Sequence, residues 1–531
     1  MEELKNMKWT AEADVVVVGY GGAGAVTAVS AADAGADVLI LEKALQDTPD
    51  CTYHTPSTRM SGGAFIIPED TEKAITYFKG LKQIANETVD EEEEEMIRFL
   101  CEEMPKSAEW LESHGAILGG TESMSPSFQH MERLHAPLAG TNAVGIYDAD
   151  FAGIPGSESI RVYWVKAVDG MRSGAGLFKV LTNAVEAKDN IRVMWGAAGQ
   201  HLILEDGEVR GVRGTLADGT PFAVKARRGV ALTCGGFEYN DYLKRNYLRP
   251  LPIEFFGNPL NEGEGVNMAL EAGAALWHMN CISCRVSMKF PEHPIAFGTQ
   301  HHSMMSIFVD QHGNRFTNER FRLHAFGYDL AGYDSQNMCY PRIPIYWIFD
   351  EKRRKMAPLA SKHGACNPPG GVKGPIHYIW SEDNSEELKK GWILKADTLE
   401  ELGEILKADP DTHGLFDVDG FLQTVERYNG MCAKGEDTDF HRSKHGLEPL
   451  VDAPYYAVKL WPGGPNTQGG PRRNIHCQVL RPDKTPIPRL YSCGELGSFF
   501  GMFYNGGGNL SECLAMGRVA GKNAAEEEPW E

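Results

Sequence analysis

The sequence has no apolar run approaching the ~18 or more residues that a membrane helix needs. Its longest early run, Ala13 to Val18, is broken by Asp14, so no membrane span is expected. It has no excess of basic residues either. The 52 Lys and Arg against 73 Asp and Glu give a formal charge of −21, which argues against nucleic acid as a partner. A disulfide framework is also missing: the eleven cysteines, an odd number, are scattered over 531 residues, which fits free thiols in a reducing compartment. Only Cys281 and Cys284 form a CxxC pair, and one pair cannot complete a tetrahedral metal shell. Two buried thiols is the simpler reading. His301 and His302 have no ligand partner at a recognised spacing, so no metal is expected. There is no CxxCH for haem attachment, and electrons must be exchanged with a separate molecule. Met1 to Thr10 is polar and mixed in charge, without the pattern of an export signal, and the expected location is cytoplasmic.

What is present is the composition of a globular chain, 42% hydrophobic and 24% charged. The length suits several domains, or one large enzyme with an inserted domain. The β-branched run Asp14 to Val18 ends at Gly19, and Gly19-Tyr20-Gly21-Gly22-Ala23-Gly24 opens an Ala-rich stretch reaching Ala34. Gly35 stops that helix, and Val38 to Leu41 forms a second strand ending in Glu42. This βαβ pattern is a dinucleotide fingerprint. Gly19 permits the sharp turn, Gly21 lets the backbone approach a pyrophosphate, and Gly24 lets the helix pack closely. The helix N-terminus offers free N–H groups to the anion, and Glu42 can accept hydrogen bonds from ribose hydroxyls. The loop by itself does not choose between FAD and NAD.

Further along come Lys43 and Ser61-Gly62-Gly63, then a strand-like Gly229 to Thr233 leading into Cys234-Gly235-Gly236-Phe237 with Asn240 behind it. Asn261-Glu262-Gly263-Glu264-Gly265 opens another helix. Asn314-Arg315-Phe316-Thr317-Asn318-Glu319, Val425 to Asn429 and Gly435 to Phe440 follow. The chain closes with Thr467-Gln468-Gly469-Gly470, Ser492-Cys493-Gly494-Glu495 and Gly506-Gly507-Gly508-Asn509-Leu510. This ordered series resembles the FAD-binding fumarate reductase/succinate dehydrogenase flavoprotein superfamily, which includes the 3-ketosteroid dehydrogenases and urocanate reductases.

The resemblance implies an α/β fold: a Rossmann-like FAD-binding domain in two sequence segments, 1–280 and 463–531, with an α+β capping domain, 281–462, inserted between them. It implies FAD as the cofactor. Contacts to it are expected from Gly19, Gly21, Gly22, Ala23, Gly24, Glu42, Lys43, Ser61, Gly62 and Gly63. Gly199, Cys234, Gly235, Gly236, Asn240, Gly263, Glu264, Gly494, Glu495, Asn509 and Leu510 complete that expected set. Covalently flavinylated members carry a histidine just before the Ser-Gly-Gly region. Here Pro56 to Met60 stands there with His54 displaced, so FAD is expected to be held non-covalently.

The fumarate reductase cations are largely replaced. Asn466 precedes Thr467-Gln468-Gly469-Gly470, Asn505 occupies the place of an arginine, and Leu323 stands four residues beyond Asn318-Glu319 where another would be. Arg320 and Arg322 are close but out of register, and Arg322 is carried as a candidate for proton delivery. Phe503-Tyr504-Asn505-Gly506-Gly507-Gly508 is instead similar to the Tyr-Pro-Gly-Pro-Gly-Gly segment of the 3-ketosteroid dehydrogenases. By that likeness Tyr504 holds a ketone oxygen, and Asn466, Phe503 and Asn505 touch substrate. The base is open among Tyr163, Tyr333 and Tyr340. The expected activity is an FAD-dependent oxidoreductase that adds or removes two hydrogens across a carbon–carbon bond next to an activating carbonyl, on a largely apolar small molecule. A flavin, quinone or redox protein exchanges its electrons. The alternatives are a fumarate- or urocanate-type reductase of an unsaturated acid and an inactive FAD-binding electron carrier.

Overall fold

Strand Ala11–Val18 lies at the centre of a parallel sheet, buried along Val15 to Val18 because it is covered on both faces. The computed structural model describes residues 8–85, 87–120, 149, 151, 153–300, 305–319, 324–368, 373–442 and 444–530. In the sheet, Ala11–Val18 is flanked by Val38–Glu42 on one side and Pro221–Leu232 on the other, all parallel. Ile191–Trp195 extends the first side and Pro486–Ser492 the second, again in parallel. The chain's second segment therefore completes the sheet begun by its first. Antiparallel strands Ala197–Glu205 and Glu208–Leu216 lead into Pro221–Leu232. Of the strand expected at Gly229 to Thr233, Gly229 to Leu232 form the last part of this longer one and Thr233 lies just past its end.

Helix Gly22–Asp33 runs back from the first strand and packs against the final helix, Gly508–Glu526. Small residues allow the approach: a Cβ on Gly521 would stand 2.2 Å from the Thr27 carbonyl oxygen. The stretch Asp90 to Ser113, which reads as one helix by apolar period, is two helices, Glu91–Glu103 and Lys106–Ser113. Pro105 lies between them; it has no N–H to continue the ladder. Asp90 and Glu93 form a reciprocal capping box at the first N-terminus; of the apolar face expected from the period, Ile97, Leu100, Met104 and Leu111 are buried and Ala108 is half-buried.

A second, antiparallel sheet is built from Phe297–Gly298, Arg285–Met288, Tyr455–Gly464, Ile345–Asp350 and Ser306–Val309, in that order. An aromatic core including Trp347, Phe349, Trp380 and Trp392 covers one face, and helices Leu399–Lys407 and Val418–Lys434 cover the other. Three separated sequence motifs meet here. Arg315 donates to Glu319 (2.7 Å) and Asp437 (2.7 Å), and Arg442 donates to Glu319 (3.2 Å). Burial pushes the Glu319 carboxyl up, but Arg315 and Arg442 outweigh it and hold the group below its ordinary value. The Arg315 guanidinium also lies 5.0 Å from the Tyr428 ring. These motifs hold the capping layer together. Among the described residues no helix is long and apolar enough to cross a membrane.

Candidate active site at the carboxyl ends of the parallel strands

In an open parallel sheet, ligands bind beyond the carboxyl ends of the strands where strand order reverses. Here those ends are Val18-Gly19, Glu42, Leu232-Thr233 and Ser492 with the following Glu495, and one crevice joins them. Glu42 is oriented by two backbone donors, Tyr20 N to Oε2 and Ala44 N to Oε1, both 2.7 Å. Burial raises its pKa, but His54 and these N–H groups outweigh burial and keep the carboxylate below its ordinary value. His54 packs among Tyr20, Trp195 and Phe178, with ring centroids 5.0 to 5.3 Å away. Its Nε2 is buried, 3.6 Å from Glu42 Oε2, and has no hydrogen-bond partner in the protein. Gly22 N donates to Thr58 Oγ1 at 3.0 Å, tying the glycine turn to the short helix Ser57–Met60. Lys43 bridges to Glu264 at 2.5 Å and to Glu262, closing the rim.

Further in, Glu495 Oε1 accepts from Asn261 Nδ2 (3.2 Å) and Ser57 Oγ (3.4 Å). Burial pushes this carboxyl up to about 7. Glu238 lies behind it, fully buried, with Oε1 accepting from Thr467 N at 3.0 Å. Its burial and then the charge of Glu495 raise its pKa well above the ordinary carboxylate range. An acidic pair in the interior is costly unless neutralised or hydrogen-bonded; Glu495 lines the crevice, whereas Glu238 Oε2 behind it has no hydrogen-bond partner among the described residues.

The last helix, Gly508–Glu526, reaches the crevice wall through Cys513. Asn509 N donates to Tyr504 Oη at 3.4 Å. The Asn509 side chain is held in a buried network: Oδ1 accepts from Asn466 Nδ2 (3.1 Å) and Gln468 Nε2 (3.0 Å), while Nδ2 donates to Ser498 Oγ (3.0 Å). Glu512 anchors the network by accepting from Ser498 Oγ (2.6 Å) and from Arg473, a fully buried guanidinium. Phe500 and His324 stand edge-on to Tyr504, at 5.7 and 5.0 Å between centroids.

The structure sorts the expected residues. Gly19, Gly21, Gly22, Ala23, Glu42, Lys43, Gly199, Cys234, Gly235, Glu264 and Glu495 line the crevice. Gly24, Gly63, Gly236, Gly263 and Gly494 stand against neighbouring protein atoms instead, and permit close packing. Ser61 braces its own turn, accepting from Gly63 N. Asn240 caps helix Asp241–Tyr247 and donates to Glu262 O, so its work is local. Asn509 and Leu510 open the last helix, and Gly62 has open space beside it. Two of the expected substrate contacts are otherwise engaged. Asn466 is turned into the Asn509 network, and Asn505 is fully buried, accepting from Tyr77 Oη at 2.5 Å and donating to Gly506 O. Phe503 is partly buried, edge-on to Phe151. Arg320, Arg322 and Leu323 lie outside the described residues, as do His301 and His302. Cys281 and Cys284 are buried free thiols. Sequence reasoning did not place Tyr20, Ser57, Thr58, Thr233 or Asn261 at the cofactor, and it weighed His54 only as displaced from a flavin-bonding position. A polar residue beside a glycine turn was the available signal for Thr58 and Asn261; nothing in the spacing put His54 beside Glu42.

These features fit an adenine dinucleotide with a long polar linker. Glu42 stands at the second strand's end, backbone amides lie at the glycine turn, His54 Nε2 lies 3.6 Å from Glu42 Oε2, and carboxyl and amide groups continue toward the last helix. The sequence profile described as an FAD binding domain matches residues 14–510. The chain belongs to this FAD-binding family. It is an FAD-dependent oxidoreductase. It is similar to a 3-oxosteroid 1-dehydrogenase of Mycolicibacterium smegmatis, at 28% identity over 97% of both chains. A digoxin reductase of Eggerthella lenta is 27% identical over 99% of this chain and 89% of its own length. Among solved structures, a 3-ketosteroid delta1-dehydrogenase from Sterolibacterium denitrificans in complex with 1,4-androstadiene-3,17-dione superposes with a TM-score of 0.76 at 21% identity, covering 97% of this chain and all of the other. That likeness establishes the Rossmann-like fold with its cap. The fold class, the flavin and the oxidoreductase class expected from the sequence stand.

Proposed function

We propose that this flavoprotein adds or removes two hydrogens across the carbon–carbon bond next to a ketone, on an apolar fused-ring substrate of the 3-oxosteroid kind. The observation that carries this reading is Tyr504 Oη beside the Asn509 N–H at the start of a helix, with aromatic residues around it. Bound FAD supplies the two-electron donor or acceptor. The crevice residues from Gly19 to Glu495 hold it, and the N-terminus of Gly508–Glu526 places a positive helix end at the reacting region. Tyr504 holds the ketone oxygen. A hydrogen bond there, aided by the helix end, stabilises the charge that develops on oxygen and makes the neighbouring carbon's proton acidic. Phe500 and Phe503 present apolar surface to the rings of the substrate and keep water out. The low frequency of cations in the expected carboxylate positions supports a ketone over an acid.

The electron partner is a soluble flavoprotein, a quinone or a free flavin, and the location is cytoplasmic; eleven free thiols support that compartment. The deciding experiment mixes the anaerobically reduced protein with a 3-oxo-Δ1-steroid, an aryl acrylate, urocanate and fumarate in separate stopped-flow runs. Fast reoxidation by the steroid alone is the expected result. Fast reoxidation by an acid and not by the steroid overturns the reading.

A further inference from the structure

Removing a proton from the carbon beside a held ketone needs a base fixed close to the group that holds the oxygen. Tyr333 and Tyr340 do not meet this requirement: their rings pack on each other at 5.0 Å, and Tyr333 is 55% exposed. Tyr163 sits on strand Ile160–Val165 opposite Phe65 and packs on the core beneath. Among the described residues, the rings standing against Tyr504 are Phe500 and His324, and only the second can carry a proton.

His324 is half-buried, and its imidazole meets Tyr504 edge-on at 5.0 Å and 84°. Its backbone is fixed. Cys284 N donates to His324 O (2.8 Å), Gly327 N donates to Cys284 O (3.0 Å), and Tyr328 Oη bonds both N and O of Ile282 at 3.1 Å. The next residue, Ser283, donates from N to Asn466 O (3.0 Å), and the Asn466 side chain donates to Asn509. The histidine is thus carried on a turn stapled to the residue whose N–H meets Tyr504. These hydrogen bonds fix the backbone that carries the imidazole.

Resting on the ketone reading above, we propose that His324 is the proton-transfer group of this site. The imidazole takes the proton from the carbon α to the ketone whose oxygen Tyr504 holds. The C–H bond breaks, an N–H bond forms, and the C–H electron pair becomes the C=C of an enolate stabilised at oxygen. The reverse transfer restores the ketone. Histidine suits this role because a ring nitrogen can accept a proton and return it.

The test uses holoprotein whose flavin has been reduced beforehand, so that no hydride can be removed, incubated with a saturated 3-oxosteroid in D2O. Deuterium at the α-carbon is followed by mass spectrometry, and steroid binding by the perturbation of the flavin spectrum. The wild type is expected to exchange. His324→Ala should exchange at least ~10²-fold more slowly while its FAD content and steroid affinity stay within a few fold of wild type. His324→Gln, which keeps the side chain's bulk, should behave alike, and Tyr163→Phe should exchange normally. Wild-type exchange in His324→Gln, or loss in Tyr163→Phe alone, overturns the assignment and leaves the ketone reading intact. A wild type that neither binds nor exchanges any ketone overturns both.

Discussion

Gly24 lies directly behind Gly19: a Cβ at position 24 would stand 2.0 Å from the Gly19 carbonyl oxygen. The turn that opens the cofactor crevice and the helix that follows it are therefore packed backbone to backbone. Gly24→Val should destabilise the protein by more than the ~1–3 kcal/mol usual for overpacking, because the obstacle is backbone and not a movable side chain. It should also emerge without flavin, as read from the ratio of absorbance at the flavin band to that at the protein band.

Glu42 is held by Tyr20 N and Ala44 N. Glu42→Ala removes the carboxylate at the end of the second strand and leaves His54 without its carboxylate neighbour. A charge-assisted hydrogen bond contributes ~1.5–3 kcal/mol, so FAD affinity should fall by ~10- to 100-fold. Titration of apoprotein by flavin fluorescence quenching measures it, and an unchanged Kd would remove Glu42 from the cofactor contacts.

Tyr504→Phe keeps the ring contacts with Phe500 and His324 and removes the hydroxyl at the helix N-terminus. Turnover with a 3-oxosteroid should drop by ~10²-fold or more with FAD content unchanged. Wild-type turnover would show that the hydroxyl plays no part.

Glu495 has a carboxyl raised from 4.5 to about 7 by burial. Between those two values the folded apoprotein binds more protons at this site than the unfolded chain, so this site's contribution to stability falls as pH rises through that window. Glu238 contributes with the same sign, while Glu42 and Glu319, whose values are lowered, contribute with the opposite one. The difference between wild type and Glu495→Gln isolates the effect. The variant's urea midpoint should gain on that of the wild type from pH 5 to pH 7. A difference that does not change with pH would contradict it.

Arg315, Glu319 and Asp437 form a buried ion network from parts of the chain more than a hundred residues apart. Asp437→Asn or Glu319→Gln leaves a guanidinium under-compensated in the interior, which typically costs ~3–5 kcal/mol. Chemical unfolding should show that loss, and full stability in Glu319→Gln would mean that Asp437 alone compensates the buried guanidinium groups.

Local sequence settled what local rules govern. The alternation of a β-branched run, a glycine turn, an Ala-rich helix and a second strand ending in Glu42 fixes a βαβ unit, because each piece is determined by sterics within a few residues. The order of glycine and acidic motifs was enough for the flavoprotein family. The helix from Asp90 was legible in its apolar period but not in its interruption at Pro105, since period alone does not register a missing donor. Tertiary structure alone decided which side chains share the site. Asn505 matched the place of a substrate residue by alignment of motifs, yet its amide is drawn inward by Tyr77, 428 positions away. His54 looked displaced from a flavin-bonding position and instead stands beside Glu42, brought there by its packing against Trp195 and Phe178. His324 reaches Tyr504 only because strand Arg285–Met288 and the return strand Tyr455–Gly464 pair and bring Ser283 onto Asn466. Such meetings are set by long-range burial and hydrogen bonding, which no spacing along the chain encodes.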